Sequence, residues 1–462
     1  MDLQGAAVIS DDGLLIESLD HQLRDLRGWE LARSSVSDWL TGETRWVRPQ
    51  TLWLDLRDPL SPLWADLEQI PAKLRSLRGT GPVLVGIVDG EVPVDAAIVA
   101  DALLADWVTL DHPGAVSESL ERCQAVSQAR QGIPERRELR GTTHAFSTCT
   151  PELFVPMERL EMVARSDFSI LLIGETGTGK TTLARIIHEL SPRRDQRFMP
   201  VACGALPGDL IDSELFGHVK GSFTGADRDK EGKFSAAGKG TILLDEIDVL
   251  ENLQQAKLLR VLETGEYEPV GSNATAKSAC RTIVASNLRL EGLIESGQFR
   301  SDLYYRLDQM KFEIPPLRRR PLDIVPLAMR FIAECCEEQG QTVHSVQPQF
   351  LRAIRNYSWP GNIRELRNEM RRAALFARDR IITVDLLSPS VLNGPAAAPI
   401  PIVSSLSGAA LADEIAITER ESIERMLRQQ EFNRAATARA LGISRVTLYN
   451  KIRKYRINLD EK

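Results

Sequence analysis

Short apolar runs alternate with amphipathic stretches through the first 125 residues. Ala6–Ile9, Thr51–Leu54, Val83–Val88 and Trp107–Leu110 have strand length, and Trp29–Ala32 is a weaker run between the first two. Such runs, separated by helical patterns, predict a parallel sheet with crossover helices. Residues 126–146 are polar and charged and read as a connector. Residues 147–392 form a second, denser α/β region that turns helical from about Pro321. Residues 393–410 begin with a Pro- and Ala-rich stretch that predicts an extended linker. Residues 411–462 are helical in pattern. The predicted fold class is multidomain, two α/β regions followed by an α module.

Composition narrows this little. No apolar stretch reaches the roughly 18 residues of a membrane-spanning helix, so no membrane partner is expected. The first residues lack the basic and apolar regions of a secretory signal. Six cysteines are scattered, with Cys335 and Cys336 adjacent, which fits a reducing cytoplasm better than a disulfide framework or a zinc site. The net charge is −7, so binding to nucleic acid needs a local basic patch.

The densest chemistry lies in the second region. Phe168–Ile173 is an apolar strand that runs into Gly174, Glu175, Thr176, Gly177, Thr178, Gly179, Lys180, Thr181 and Thr182, and helical spacing follows. Glycines at this spacing let successive N–H groups face phosphate oxygens at a helix N-terminus. Lys180 would neutralise the outer phosphates, and Thr181 would ligate Mg²⁺. A second apolar strand, Thr241–Leu244, ends in Asp245 and Glu246. At a strand's C-terminal edge beside a phosphate loop, Asp245 would hold the metal and Glu246 would activate water. A third, Arg281–Ser286, ends at Asn287, which is placed to sense the γ-phosphate. Arg300 and Arg306 suit stabilisation of phosphoryl charge from a neighbouring subunit; they also suit a solvated helix face, and composition leaves both open. ATP and Mg²⁺ are the expected cofactors, and ATPase is the expected activity.

From about Phe146 to Leu392 the sequence resembles the AAA+ domain of bacterial sigma-54-dependent transcriptional activators, the NtrC-like enhancer-binding proteins. The most specific pieces are Asp212–His218 and the loop Gly221, Ser222, Phe223, Thr224, Gly225, Ala226. That loop differs from the family's Gly-Ala-Phe-Thr-Gly-Ala only at Ser222. The resemblance implies that Phe223 and Thr224 contact sigma-54. It also implies that Arg300 and Arg306 act in trans, that Arg364 in the lid motif Ser358–Leu366 touches nucleotide, and that protomers assemble from dimers into a hexameric ring. Two positions depart from the family. Ala202 stands where the family has an Asn that restrains the catalytic Glu, and alanine has no donor for Glu246. Thr181 replaces a common acid and returns the motif to the general phosphate-loop form.

The last 50 or so residues carry the basic patch that the global charge lacks. Two helical stretches flank a turn at Gly442, and Phe432–Asn458 holds many Arg and Lys but no Asp or Glu. In a helix-turn-helix, Ser444 caps the second helix. Arg445, Thr447, Asn450 and Lys451 would then reach bases or nearby phosphates, and Arg434, Arg453 and Lys454 phosphates. The segment resembles the Fis-type module that ends this activator family, and it implies enhancer DNA as a partner.

The first region resembles a response-regulator receiver, with Asp11 and Asp12 after the first strand and Asp55 ending the third. Asp55 is the candidate phosphoacceptor, which would imply a sensor kinase. Gly86–Val88 lacks the family's Ser or Thr, and Leu110–Pro113 lacks its Lys. A receiver-like sheet without phosphotransfer is an equal reading. Together these elements predict an activator that remodels sigma-54 RNA polymerase holoenzyme into the open promoter complex. The alternative is a DNA-binding AAA+ regulator that binds ATP but acts with another sigma factor; such relatives lose the Phe-Thr loop, which this chain keeps. A replication-type AAA+ protein would lack both that loop and the terminal helices.

Overall fold

The computed structural model describes residues 4–26, 29–44, 49–75, 82–126 and 135–394. They fall in one compact unit, Met1–Ala398.

The first domain is a five-stranded sheet. Its strands are β1 (Gln4–Ile9), β2 (Trp29–Ser34), β3 (Thr51–Asp55), β4 (Val83–Ile87) and β6 (Asp106–Val108), in the order β2-β1-β3-β4-β6. Every pairing is parallel, as the alternation of runs predicts. β3 reads buried at four successive positions because helices cover both faces of the sheet. A two-residue strand, β5 (Val92–Pro93), lies outside this sheet. Helix α1 (Gly13–Asp25) follows β1, and α2 (Val94–Leu103) follows β5.

Residues 137–148 lie partly in the stretch read as a connector. They form an antiparallel hairpin of β7 (Arg137–Arg140) and β8 (Ala145–Thr148). Leu139 and Phe146 are buried in the core beneath the second sheet, which holds the hairpin despite its polar exterior.

The second sheet has β9 (Ile170–Ile173), β10 (Phe198–Ala202), β11 (Thr241–Asp245), β12 (Arg281–Ser286) and β13 (Lys311–Glu313). The order is β10-β11-β12-β9-β13, all parallel. The chain leaves β9 for the far edge and returns beside it. That arrangement brings the C-terminal ends of β9, β11 and β12 together in the crevice where α/β sheets bind ligands. Helix α3 (Lys180–Glu189) follows β9. The lid holds α4 (Pro321–Gln339), α5 (Pro348–Asn356) and α6 (Asn362–Phe376). Proline opens α4 and α5, where a missing N–H costs no helical hydrogen bond. Gly340 ends α4 at φ 63°, in the left-handed region that glycine enters without penalty. Two short strands, β14 (Ser345–Val346) and β15 (Ile381–Ile382), pair in parallel, and β14 also pairs with β5. Among the described residues no helix is long and apolar enough to cross a membrane.

One buried carboxylate ties the hairpin to the lid. Asp323 in the first turn of α4 pairs with Arg320 at 2.6 Å, and both side chains are 1% exposed. Asp323 also accepts from Thr148 Oγ1 at 2.7 Å and Thr150 Oγ1 at 3.3 Å. Removing the acid leaves a buried cation unpaired. Asp323→Ala is expected to lower stability by about 3–5 kcal/mol in a urea titration, and an unchanged midpoint would contradict this account of the junction.

Candidate nucleotide-binding site

The loop after β9 takes the shape that its glycines allow. Gly177 and Gly179 sit at φ 83° and 104°, where L side chains are strained. A Cβ on Gly177 would lie 2.3 Å from the Gly361 carbonyl oxygen, so glycine is required for the close approach of the lid. Lys180 begins α3 and is largely buried. Its ammonium donates to Gly174 O at 2.6 Å, Glu175 O at 3.1 Å and Asn287 Oδ1 at 2.7 Å. Burial pulls its pKa below the ordinary lysine value.

The ends of β11 and β12 complete the site. Thr181 Oγ1 donates to Asp245 Oδ2 at 3.0 Å, which brings together the two expected metal ligands. Glu246 stands in the left-handed region at φ 59°, an unfavourable position for a residue with a Cβ. Its carboxylate accepts from Asn287 Nδ2 at 3.3 Å and lies directly over Gly204. Asn287 thus holds Lys180 through its oxygen and Glu246 through its nitrogen. Ala202 is exposed at the end of β10, in register with Asp245.

A cavity of about 500 Å³ opens among these groups. Thr176, Gly177, Gly179, Lys180, Thr181, Thr182, Asp245, Glu246, Asn287 and Arg364 line it, so the structure brings these candidate residues together. Arg367, Asn368 and Arg371 line it as well. These three follow Arg364 at helical spacing on α6, a signal that the motif alone did not use. Glu175 faces the lid instead: Arg318 grips its carboxylate with two hydrogen bonds of 2.5 and 2.7 Å, and Asn362 Nδ2 donates to it at 3.3 Å. Arg318 keeps the Glu175 carboxyl below its usual pKa. Thr178 is buried, and its hydroxyl donates to Glu175 O at 2.8 Å.

Arg300 and Arg306 do not line the cavity of their own chain. Arg300 pairs with Asp302 at 2.7 Å, and Arg306 donates to Leu262 O at 3.0 Å. The loop at 221–226 closes on itself through Gly221 N to Ala226 O at 2.9 Å, with Gly221 and Gly225 at positive φ. Its tip exposes Phe223 and Thr224, while Ser222 is half-buried and Ala226 buried. The Phe223 ring meets His218 edge-on at 4.9 Å. Arg434, Ser444, Arg445, Thr447, Asn450, Lys451, Arg453 and Lys454 lie outside the described residues.

In the first domain, Asp12 and Asp55 converge and Asp11 does not. Asp11 accepts from Val36 N at 3.0 Å. Asp12 caps α1 and pairs with Arg57 at 2.7 Å; Asp55 pairs with Arg57 Nε at 2.9 Å and accepts from Ser10 Oγ at 2.6 Å. Arg57, absent from the sequence reading, is the cation of this pocket, and its hydrogen bond is the main reason that Asp12 is held below the usual carboxylate pKa. A receiver binding Mg²⁺ and phosphoryl needs these oxygens free.

Three families match the chain. The Sigma-54 interaction domain covers residues 148–313, the AAA+ ATPase lid domain 318–399, and the bacterial regulatory protein, Fis family, 414–455. The chain is similar to the Nif-specific regulatory protein of Azotobacter vinelandii, with 38% identity over 72% of this chain and 64% of that protein. It is similar to the regulatory protein AtoC of Escherichia coli, with 38% identity over 72% of this chain and 74% of that one. The match to the Nif-specific regulatory protein of Azospirillum lipoferum, at 46% identity, spans 53% of this chain and only 39% of that protein. Among solved structures, NtrX from Brucella abortus in complex with ADP aligns over 98% of this chain and all of that one, at 25% identity and a TM-score of 0.48.

The Arg57 geometry predicts the behaviour of the acidic pocket. Acetyl phosphate with Mg²⁺ is expected to leave Asp55 unmodified, as read by intact mass. A stoichiometric, Asp55-dependent acyl phosphate would contradict the assignment of Arg57 as the cation of this pocket.

Proposed function

The chain belongs to the bacterial sigma-54-dependent transcriptional activators, and on that premise we propose that it hydrolyses ATP to remodel sigma-54 RNA polymerase into the open promoter complex. The observation that carries this is the convergence of Lys180, Thr181, Asp245 and Glu246 on one cavity at the C-terminal edge of the second sheet. Thr181 and Asp245 offer two hard oxygen donors 3.0 Å apart, which suits a magnesium ion. When bound, that ion offsets the charge of the β- and γ-phosphate oxygens.

The chain's own groups do the rest. Backbone amides of Gly177 to Lys180 cradle the phosphates, and Lys180 exchanges its carbonyl partners for phosphate oxygens. That exchange releases Asn287 Oδ1, so arrival of the γ-phosphate is felt at the amide that also holds Glu246. Glu246 takes the proton of the attacking water. Arg364 reaches the nucleotide from the lid, and Arg300 and Arg306 complete the site of a neighbouring protomer in a hexameric ring. Their absence from the cavity of their own chain supports that role. The exposed tip at Phe223 and Thr224 contacts sigma-54. Residues 411–462 bind enhancer DNA as a dimeric helix-turn-helix. The first domain is a receiver-like regulator in which phosphorylation of Asp55 has no part.

Glu246→Gln is expected to lower ATP turnover by roughly 10²- to 10⁴-fold while nucleotide still binds; undiminished turnover would remove Glu246 from the chemistry. Ala202→Asn adds a donor beside the Asp245–Glu246 strand end. It is expected to lower turnover without sigma-54 and to make turnover depend on sigma-54, and identical responses to wild type would refute a role for this position in coupling.

A further inference from the structure

The first domain and the lid share a continuous seam. β5 pairs antiparallel with β14 of the lid, Ser345 opposite Pro93 and Val346 opposite Val92. Val94 N donates to His344 O at 3.0 Å, and Ser345 Oγ to Glu91 at 2.6 Å. Behind this pairing, Ala97, Leu104 and Trp107 belong to the same buried cluster as Ala328, Leu351 and Ile354 of the lid. Domain interfaces are mobile by default unless they are apolar and well tied. This one has a core, a β-pair and two arginines.

Both arginines lie on α5. Arg352 donates to the Trp107 carbonyl and lies 3.6 Å from Asp106. Arg355 donates to Asp101 O at 2.9 Å and pairs with the Asp101 carboxylate. Asp106 is 5% exposed, so its contacts form in a poorly hydrated place where charge complementarity is selective.

The end of α5 leads into a turn that is hydrogen-bonded to the phosphate loop. Trp359 is fully buried, donates to Ile354 O at 2.7 Å and stacks edge-on against Tyr357 at 5.0 Å. Trp359 and Asn362 have φ of 49° and 52°. Non-glycine residues persist in the left-handed region only where their surroundings hold them, so this turn is a stiff element. Asn362, fully buried, donates to Thr176 O at 3.0 Å and accepts from Leu317 N at 2.7 Å. Arg364 N donates to Gly177 O at 3.3 Å. The seam on one side of α5 and the phosphate loop on the other are joined by one buried, strained turn.

We propose that the first domain is a clamp on the lid that sets nucleotide affinity: engaged, it seats α5 and the Trp359–Asn362 turn against the phosphate loop; released, that loop loses its outer supports. This rests on the reading of the cavity as the ATP site. The input is any partner or signal that alters the β5–β14 seam, with no chemistry at Asp55 required.

The test uses the full chain and a fluorescent ATP analogue with Mg²⁺. Arg355→Glu sets like charge against Asp101 and is expected to raise the Kd by roughly 5- to 150-fold, the usual span of coupling between sites. The swap Asp101→Arg with Arg355→Asp is expected to recover most of the loss. A folded Arg355→Glu chain that binds as wild type does would overturn the clamp and leave the ATP site standing. A wild-type chain that binds no analogue would sink the ATP reading and the clamp with it. Coupling is reciprocal, so a second measurement needs no variant. The analogue is expected to slow amide exchange across Val92–Val94 and Ser345–Val346 in the wild type. Unchanged exchange there, with protection of Gly177–Lys180, would overturn the proposal.

Discussion

A phosphate cradle works only if its amide groups face inward, so the carbonyl oxygens on its outer side must be satisfied by something else. Here the lid does much of this. Gly177 O accepts from Arg364 N, and Thr176 O from Asn362 Nδ2. Lys180 takes Gly174 O and Glu175 O from within. Arg318 and Asn362 also fix the Glu175 side chain, so the loop after β9 is held from two domains at once. The glycine at 177 is there because the Gly361 carbonyl must come closer than any side chain permits.

The same economy runs through the ends of β11 and β12. β11 delivers Asp245 and Glu246 to adjacent positions, but the left-handed backbone at Glu246 separates their tasks. Asp245 faces Thr181, where a cation would sit, and Glu246 faces Asn287. One amide therefore contacts both Lys180 and Glu246. Ala202 stands where the family usually has an Asn on β10, and Asn287 donates to the Glu246 carboxylate from the end of β12. In the first domain Arg57 likewise bridges two carboxylates, Asp12 and Asp55.

Much of this was legible in the sequence because its cause is local. Gly174 to Thr181 after an apolar strand, two acids ending Thr241–Leu244, and parallel strands separated by helices each express a backbone requirement within a few residues. The hairpin at 137–148 was not legible, since its outward faces are polar and Leu139 and Phe146 are its two residues in the apolar core. Arg318 and Glu175 are 143 residues apart, and nothing in either neighbourhood marks them as partners. Arg57 lies two residues from Asp55 but reads as an ordinary loop cation until Asp12 is brought beside it. The lid seam depends on β5 and β14, two residues each, too short to show any period. Asp11 was drawn to the acidic pocket by its position after β1, yet its oxygen is committed to Val36 N.

Melting of promoter DNA tests the central claim most directly. With purified chain, sigma-54 RNA polymerase and a template carrying an upstream binding site, permanganate reactivity of thymines near the start site reports strand opening. The account predicts reactivity with hydrolysable ATP and none with a non-hydrolysable analogue. Equal opening with both nucleotides, or with neither, would contradict it.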